Sequence, residues 1–184
     1  VVVFNPLTWT RSAFLWTARG EGDTVLFAAR DVPALGAKVF WLPRTGTPPV
    51  ASPLLPATVG ATWIENIALR VEVDTATGTI TRIYDKMNRR EVLAPGARGN
   101  VLEVFGDLPR TWDAWDIGYT GERSEVTLTT GVTRSADQTE ARLGFTRSFG
   151  ASSVTQVLVL GRESPFLEVR NEAEWQETHK LLKV

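Results

Sequence analysis

IALRVEVDTATGTITRIYDKMNRREVL, residues 67–93, decides the fold class. Ile67, Leu69, Val71 and Val73 alternate with Arg70, Glu72 and Asp74, the period of a half-buried strand rather than a helix. TATG then reads as a turn, TITRIYD as the returning strand, KMN as a second turn and RREVL as a third strand. Gly78 and Asn88 are the expected turn formers, because both tolerate the left-handed backbone that tight connections demand. The stretch is an antiparallel meander.

The same alternation runs outward toward the C-terminus. SEVTLTTGV, TEARLGFTRSF and SSVTQVLVL each read as one strand, with Val126 and Leu128 set against Thr127 and Thr129, and Leu143 and Phe145 against Arg142 and Thr146. A long run from Phe166 to the end follows the turn GRESP. Toward the N-terminus, VVVFN, RSAFLWTA, TVLFAA and AKVFWL read as four short strands. No stretch keeps a convincing helical period, and there is no internal repeat. The expected class is all-β, an antiparallel sandwich of two large sheets.

Residues 43–60 hold five of the ten prolines. Such a segment cannot join a central strand and runs extended. The expected organisation is a small, incomplete β unit at 1–45, a linker at 46–60 and a large sandwich at 61–184, truncated at its C-terminal end. The chain opens without methionine on a strand-like run and stops at HKLLKV inside an apolar pattern. It therefore reads as a piece of a longer protein.

Composition narrows the function classes. Of 184 residues, 43% are hydrophobic, enough for a real core. A formal charge of −1 with dispersed basic residues argues against nucleic acid and anionic membrane. No apolar run approaches the roughly 20 residues of a membrane span, and VVVFNP lacks the basic start of a leader. Cysteine is absent, which removes disulfides and thiolate metal sites and fits a reducing, cytoplasmic setting. His179 is the one histidine, so an all-protein zinc site would need mostly carboxylates, and no run of acidic residues resembles a calcium loop. No Gly-x-Ser-x-Gly elbow offers a nucleophile.

Two constellations could carry chemistry. RTWDAWDIGY, residues 110–119, sets Trp112, Asp113, Trp115 and Asp116 within five positions. A glycosidase needs two carboxyl groups about 5–5.5 Å apart if retaining, or about 6.5–9.5 Å if inverting, on opposite sides of the scissile bond. Two aspartates three residues apart lie ~10 Å apart on opposite faces of a strand, or within ~7 Å on a single corner. Three readings stay open: a catalytic pair, a sugar-contacting edge, or a loop anchored by its tryptophans with aspartates capping backbone N–H groups. In NEAEWQETHKLLKV, period two puts Trp175, Glu177 and His179 on one face. Glu177 and His179 would then lie roughly 7 Å apart, an acid–base spacing or a polar patch against a neighbouring domain. Trp9, Trp16, Trp41 and Trp63, four of the seven tryptophans, sit in or beside strands and are expected in a core or an interface.

VVVFNPLTW, VPALGAKVF, IENIALRVEVDTATGTITRIYDKMNRREVL, WDAWDI and EWQETHKLLKV, in that order and spanning nearly the whole chain, resemble the C-terminal β region of glycoside hydrolase family 38 α-mannosidases, most closely the bacterial and cytosolic-type branch. The resemblance implies part of a galactose-mutarotase-like supersandwich preceded by a small β unit. It implies a large, zinc-dependent, retaining exo-mannosidase whose nucleophile and zinc ligands sit in an N-terminal barrel absent from this sequence. The chain is then a noncatalytic part with no catalytic residue and no metal of its own. Its partners are the barrel of the same polypeptide and a mannose-containing glycan, with exposed edge strands able to pair between copies into a homo-oligomer. Trp112, Asp113, Trp115 and Asp116 are the first substrate-contact candidates, and Glu177 and His179 the second. The competing reading is a freestanding carbohydrate-binding or mutarotase-like module using Glu177 and His179.

Overall fold

The computed structural model describes residues 1–20, 22–46, 55–113 and 115–184, and the chain divides into two units, Val1–Leu55 and Pro56–Val184. Residues 47–54, the middle of the expected linker, lie outside the described residues.

In the first unit, β1 (Val2–Asn5) pairs antiparallel with β4 (Gly36–Val39), and β2 (Arg11–Gly20) with β3 (Asp23–Val32). All four expected strands are present, with β4 ending at Val39 instead of running on to Leu42. Phe27, Ala29 and Val32 form the centre of a small core, closed by Val3, Leu15, Phe40 and Leu42. Buried Asn5 ties it together: its amide donates to the carbonyls of Trp9 at 2.7 Å and Val32 at 3.2 Å, and its Oδ1 accepts the Leu7 N–H at 3.1 Å. The tryptophans do not enter this core. Trp9, Trp16 and Trp41 are 59, 67 and 93% exposed; for Trp16 and Trp41 the neighbours of opposite parity turn inward instead.

The second unit holds β5 (Thr58–Val59), β6 (Trp63–Glu65), β7 (Leu69–Asp74), β8 (Thr79–Asp85) and β9 (Arg90–Glu91) in one antiparallel sheet, in that order. Next come β10 (Glu103–Asp107), β11 (Tyr119–Glu125), β12 (Leu128–Ala136), β13 (Glu140–Phe149), β14 (Ser152–Gly161), β15 (Glu168–Glu174) and β16 (Lys180–Lys183). Strands β12 to β15 form a four-stranded antiparallel sheet, and β11, β10 and β16 a three-stranded one. The fold is all-β, as the alternation requires. Ile64, Val71, Val73 and Ile80 of the first sheet meet Leu143, Phe145, Leu158 and Leu160 of the second in one buried cluster, the sandwich core. A smaller cluster of Leu102, Val104, Val126 and Val154, with Leu182 and Phe149, seats the three-stranded sheet.

Several local expectations shift for definable reasons. The meander is present, but Ile67 precedes β7 and is 40% exposed, while Ala68 and Leu69 are buried. A bulge beside Thr81 changes the pairing from Glu72↔Arg82 to Val73↔Ile80, so Ile80 and Ile83, three apart, both reach the core. Gly78 takes the left-handed backbone at φ 69°, but in the next turn Arg89, at φ 54°, does so and not Asn88. Asn88 is held by Asp85, whose carboxylate accepts both its N–H at 3.0 Å and its side-chain amide at 2.7 Å. SEVTLTTGV breaks into two strands in different sheets, with Val126 buried at the break. The run from Phe166 breaks likewise after Glu174 and resumes at Lys180 in another sheet.

Arg147 occupies the fourth place in the inward row Ala141, Leu143, Phe145, Arg147 and is fully buried. Its Nη2 donates to the Gly78 carbonyl at 2.7 Å, and its guanidinium lies 5.1 Å from the Phe145 ring centroid. Burial lowers its pKa to about 10, which still leaves it charged at neutral pH. A Cβ on Gly78 would stand 2.7 Å from that guanidinium, so this turn needs glycine for space as well as for φ. Beside it, buried Gln156 donates to Asn100 Oδ1 at 3.1 Å and Asn171 Oδ1 at 2.7 Å, and Asn100 donates to the Gly78 carbonyl at 3.1 Å.

The outer face of β6 to β9 is a ladder of ion pairs. Arg70 bonds Glu65 at 2.6 Å and Glu72 at 3.0 Å, and Arg82 bonds Glu72 at 3.2 Å and Glu91 at 2.6 Å. Arg70 holds Glu72 below the ordinary carboxylate range against the opposing effect of partial burial, with help from Arg82. Burial pushes Glu65 up, but Lys86 and Arg70 together outweigh it and its pKa also falls. The Asn88 side chain and N–H lower Asp85, and the Arg98 side chain lowers Glu125. Depressed carboxylates stabilise the fold above their unfolded values, 4.5 for Glu and 3.8 for Asp, and lose that contribution as the pH falls through the folded values. The melting temperature should therefore stay level from neutral pH down to about pH 5 and drop on further acidification. Thermal unfolding followed by circular dichroism across pH 3–7 checks this; an unchanged melting temperature at pH 3 would contradict it.

Candidate functional site

Both sequence candidates converge on one end of the three-stranded sheet. Strand β10 ends at Asp107, the loop 108–118 follows, and β11 begins at Tyr119, the partner of Asp107. On the other side β16 pairs Lys180 with Gly106, and the Asp107 N–H donates to the His179 carbonyl at 2.8 Å. The base of the WDAWDI loop and the backbone of His179 are thus neighbours across β10.

The loop is closed at its neck. The Leu108 N–H donates to the Gly118 carbonyl at 2.7 Å, and the Gly118 N–H donates to Asp107 Oδ1 at 2.7 Å. A Cβ on Gly118 would lie 2.5 Å from the Leu108 backbone, so the two arms of the neck approach this closely only with glycine there. At the tip, the Trp112 carbonyl accepts the N–H groups of Trp115 at 2.7 Å and Asp116 at 2.9 Å. That single turn pulls the stretch into one corner.

The tryptophans project rather than anchor. Trp112 is 71% and Trp115 85% exposed, with Leu108, Ile117 and Tyr119 also exposed around them. Asp113 and Asp116 are exposed as well, and neither carboxylate caps a backbone N–H among the described residues. Trp112 sits at φ 64° and His179 at φ 52°, left-handed conformations that cost a bulky residue about 1–2 kcal/mol. Two such residues at one sheet end mark backbone that is over-determined by its surroundings.

Glu177 and His179 do not share the face of a strand, because β15 ends at Glu174 and both residues lie in the crossover 175–179. The Glu177 carboxylate turns to the β13–β14 hairpin, where Oε1 accepts the Ala151 N–H at 2.8 Å and the Ser152 hydroxyl at 3.2 Å. Ser152 Oγ in turn accepts the Gln176 N–H at 2.8 Å. Trp175 packs edge-to-face on Phe149 with ring centroids 5.6 Å apart. Glu177 therefore latches the crossover to the hairpin, and His179 is left exposed beside the loop's neck.

Next to the neck lies a cluster that alternation did not reveal. Tyr119 meets Phe105 edge-on at 5.7 Å, and Lys183 stands 5.2 Å from the Tyr119 ring and 2.8 Å from its hydroxyl. These residues lie up to 78 positions apart in sequence, so only the pairing of β10 with both β11 and β16 brings them together. Zinc, implied by the family resemblance, finds no fitting ligand set here. Among the described residues no group of three or more His, Cys, Asp or Glu could hold a metal ion.

The comparisons with known proteins agree on kinship. The family described as "Glycosyl hydrolases family 38 C-terminal domain" matches residues 64–184. The chain belongs to glycosyl hydrolases family 38. Alpha-mannosidase 2C1 of Mus musculus is 32% identical over 198 residues, covering 100% of this chain and 18% of its own length. The Homo sapiens protein of the same name is 32% identical over 200 residues, with the same coverage. Alpha-mannosidase G of Dictyostelium discoideum is 26% identical over 114 residues, 58% of this chain and 10% of its own length. The chain thus spans less than a fifth of the curated relatives it matches. Within family 38 it supplies a C-terminal domain of a larger polypeptide, and the WDAWDI loop, Glu177 and His179 all fall inside the matched residues.

Because Glu177 ties the crossover to the β13–β14 hairpin through charge-assisted hydrogen bonds, Glu177→Ala should destabilise the fold by about 1–2 kcal/mol. Trp115→Ala, at an exposed position, should change stability by no more than about 0.5 kcal/mol. Urea denaturation of the two variants beside the parent chain measures both; equal midpoints for all three would contradict the latch.

Proposed function

We propose that this chain is a noncatalytic β domain of a longer, zinc-dependent, retaining α-mannosidase, where it packs on the catalytic barrel and lends one rim to the sugar cleft. Family membership supports the enzyme class, and the name alpha-mannosidase borne by the 2C1 relatives supports an α-mannoside as the substrate class. In the whole enzyme the glycosidic bond is cleaved by double displacement at the anomeric carbon, with nucleophile and zinc supplied outside this chain. Its place is the cytoplasm, in keeping with a sequence free of cysteine.

The observation that carries the rim assignment is the WDAWDI corner. Trp112 and Trp115 are exposed to solvent on a loop with a fixed neck, and Asp113 and Asp116 beside them cap no backbone N–H among the described residues. Flat apolar rings with adjacent hydrogen-bond acceptors suit a pyranose, whose C–H face stacks while its hydroxyls donate. One corner of four residues can touch a sugar but cannot flank its scissile bond from both sides. His179 adds a donor beside the neck, and Glu177, though committed to the hairpin, holds that neighbourhood in place.

In the longer polypeptide, Trp112→Ala with Trp115→Ala should raise KM for an α-mannosidic glycan by about tenfold at most, the equivalent of ~1.4 kcal/mol. The value of kcat should stay within about twofold, because binding common to ground and transition states is what is removed. Steady-state kinetics on glycan and on a small aryl mannoside test this; an unchanged KM for both substrates would contradict the rim.

A further inference from the structure

The β1–β4 ribbon carries an apolar outer face, whereas its inner face also holds Asn5 and Lys38. Val3, with Phe40 and Leu42 just beyond β4, turns inward to the core of the first unit. On the opposite face the register places Val2 against Val39 and Phe4 against Ala37, and these side chains are solvent-facing: Val2 is 66%, Phe4 64% and Val39 55% exposed. Trp41, between two inward-turned neighbours, continues that parity and is 93% exposed. None of the five is charged.

Strands that face water on one side carry polar residues there, whereas strands buried on both faces read as continuous apolar runs. This protein shows the first pattern elsewhere. The outer face of β6 to β9 in the second unit is occupied by Arg70, Glu72, Arg82 and Glu91 in mutual ion pairs. The outer face of the ribbon departs from that pattern, for it lies open and is made of Val2, Phe4, Ala37, Val39 and Trp41.

From this we infer that the Val2–Phe4–Val39–Trp41 face is the surface by which the domain docks on the remainder of its own longer polypeptide, against an uncharged apolar patch. The inference rests on the proposed reading of the chain as a domain of a larger enzyme, and names the face that reading leaves open. Three observations favour this occupant. The chain accounts for 18% of the length of its 2C1 relatives, so most of such a polypeptide lies outside it. None of the five side chains carries a charge to meet a nucleic acid or an acidic partner, and the Trp41 indole N–H is the one donor among them. Five side chains bury on the order of a few hundred Å², well below the roughly 1,200 Å² of a stable two-chain interface. A contact that small suffices when covalent linkage supplies a high effective concentration.

Hydroxyl-radical footprinting read by mass spectrometry, on the 184-residue chain and on the longer polypeptide containing it, tests the inference. Oxidation of Phe4 and Trp41 should fall at least fivefold in the longer polypeptide, while Tyr84, beside the ion-paired face, should be unchanged. Protection that arises at another surface and spares Phe4 and Trp41 would overturn the choice of face but leave the domain reading standing. No new protection anywhere would overturn both. Protection of Phe4 and Trp41 in the short chain that grows with its concentration would point to a second copy and overturn the inference.

Discussion

Arg147 carries a guanidinium into the space between two apolar sheets, and much of the second unit is arranged around keeping it there. Its row on β13 is otherwise Ala141, Leu143 and Phe145, so the sandwich core runs along the strand directly into a buried charge. An isolated cation at that depth would cost several kcal/mol. The protein answers with the Gly78 carbonyl, the Phe145 ring and the electrostatic influence of Glu125. Those partners fix the β7–β8 turn against β13, and Asn100, Gln156 and Asn171 extend the polar seam toward β15. Above the seam the two sheets close apolar face to face. Below it, the three-stranded sheet takes over, seated on Leu102, Val104 and Val154.

That handover creates the candidate site. Strand β10 receives β11 on one side and β16 on the other, and the chain must leave the four-stranded sheet at Trp175 to reach it. The crossover 175–179 is latched by Glu177, and its last carbonyl, on His179, meets the neck of the loop 108–118. A residue read from sequence as a possible acid or base acts in the structure as a clamp that ties the crossover to the β13–β14 hairpin.

Much of the fold was legible because period two survives wherever a strand buries one face: β7, β13 and β14 stand where alternation put them. What was not legible depended on events without a local pattern. Nothing in SEVTLTTGV or in the run from Phe166 announces that a strand changes sheets, since alternation continues across the break while the pairing partner changes. The bulge at Thr81 likewise inserts one residue without altering composition. Arg147 was visible in principle, as a charge in phase with Leu143 and Phe145, and period counting alone passes over it. At the candidate site the sequence singled out Trp112, Trp115, Glu177 and His179 by residue type. That the WDAWDI loop and His179 meet at one sheet end required the register of β10, which no local motif encodes, and the exposure of both tryptophans speaks against the one of three readings that made them anchors.

In the proposed function this chain is a structural and substrate-framing part of a family 38 enzyme whose chemistry lies elsewhere in the polypeptide. The most direct measurement is turnover of an aryl α-mannoside, with zinc supplied, by the 184-residue chain and by the longer polypeptide side by side. Hydrolysis by the longer polypeptide alone is the expected result. Hydrolysis by the 184-residue chain, abolished by substitution at Asp113, Asp116 or Glu177, would contradict it.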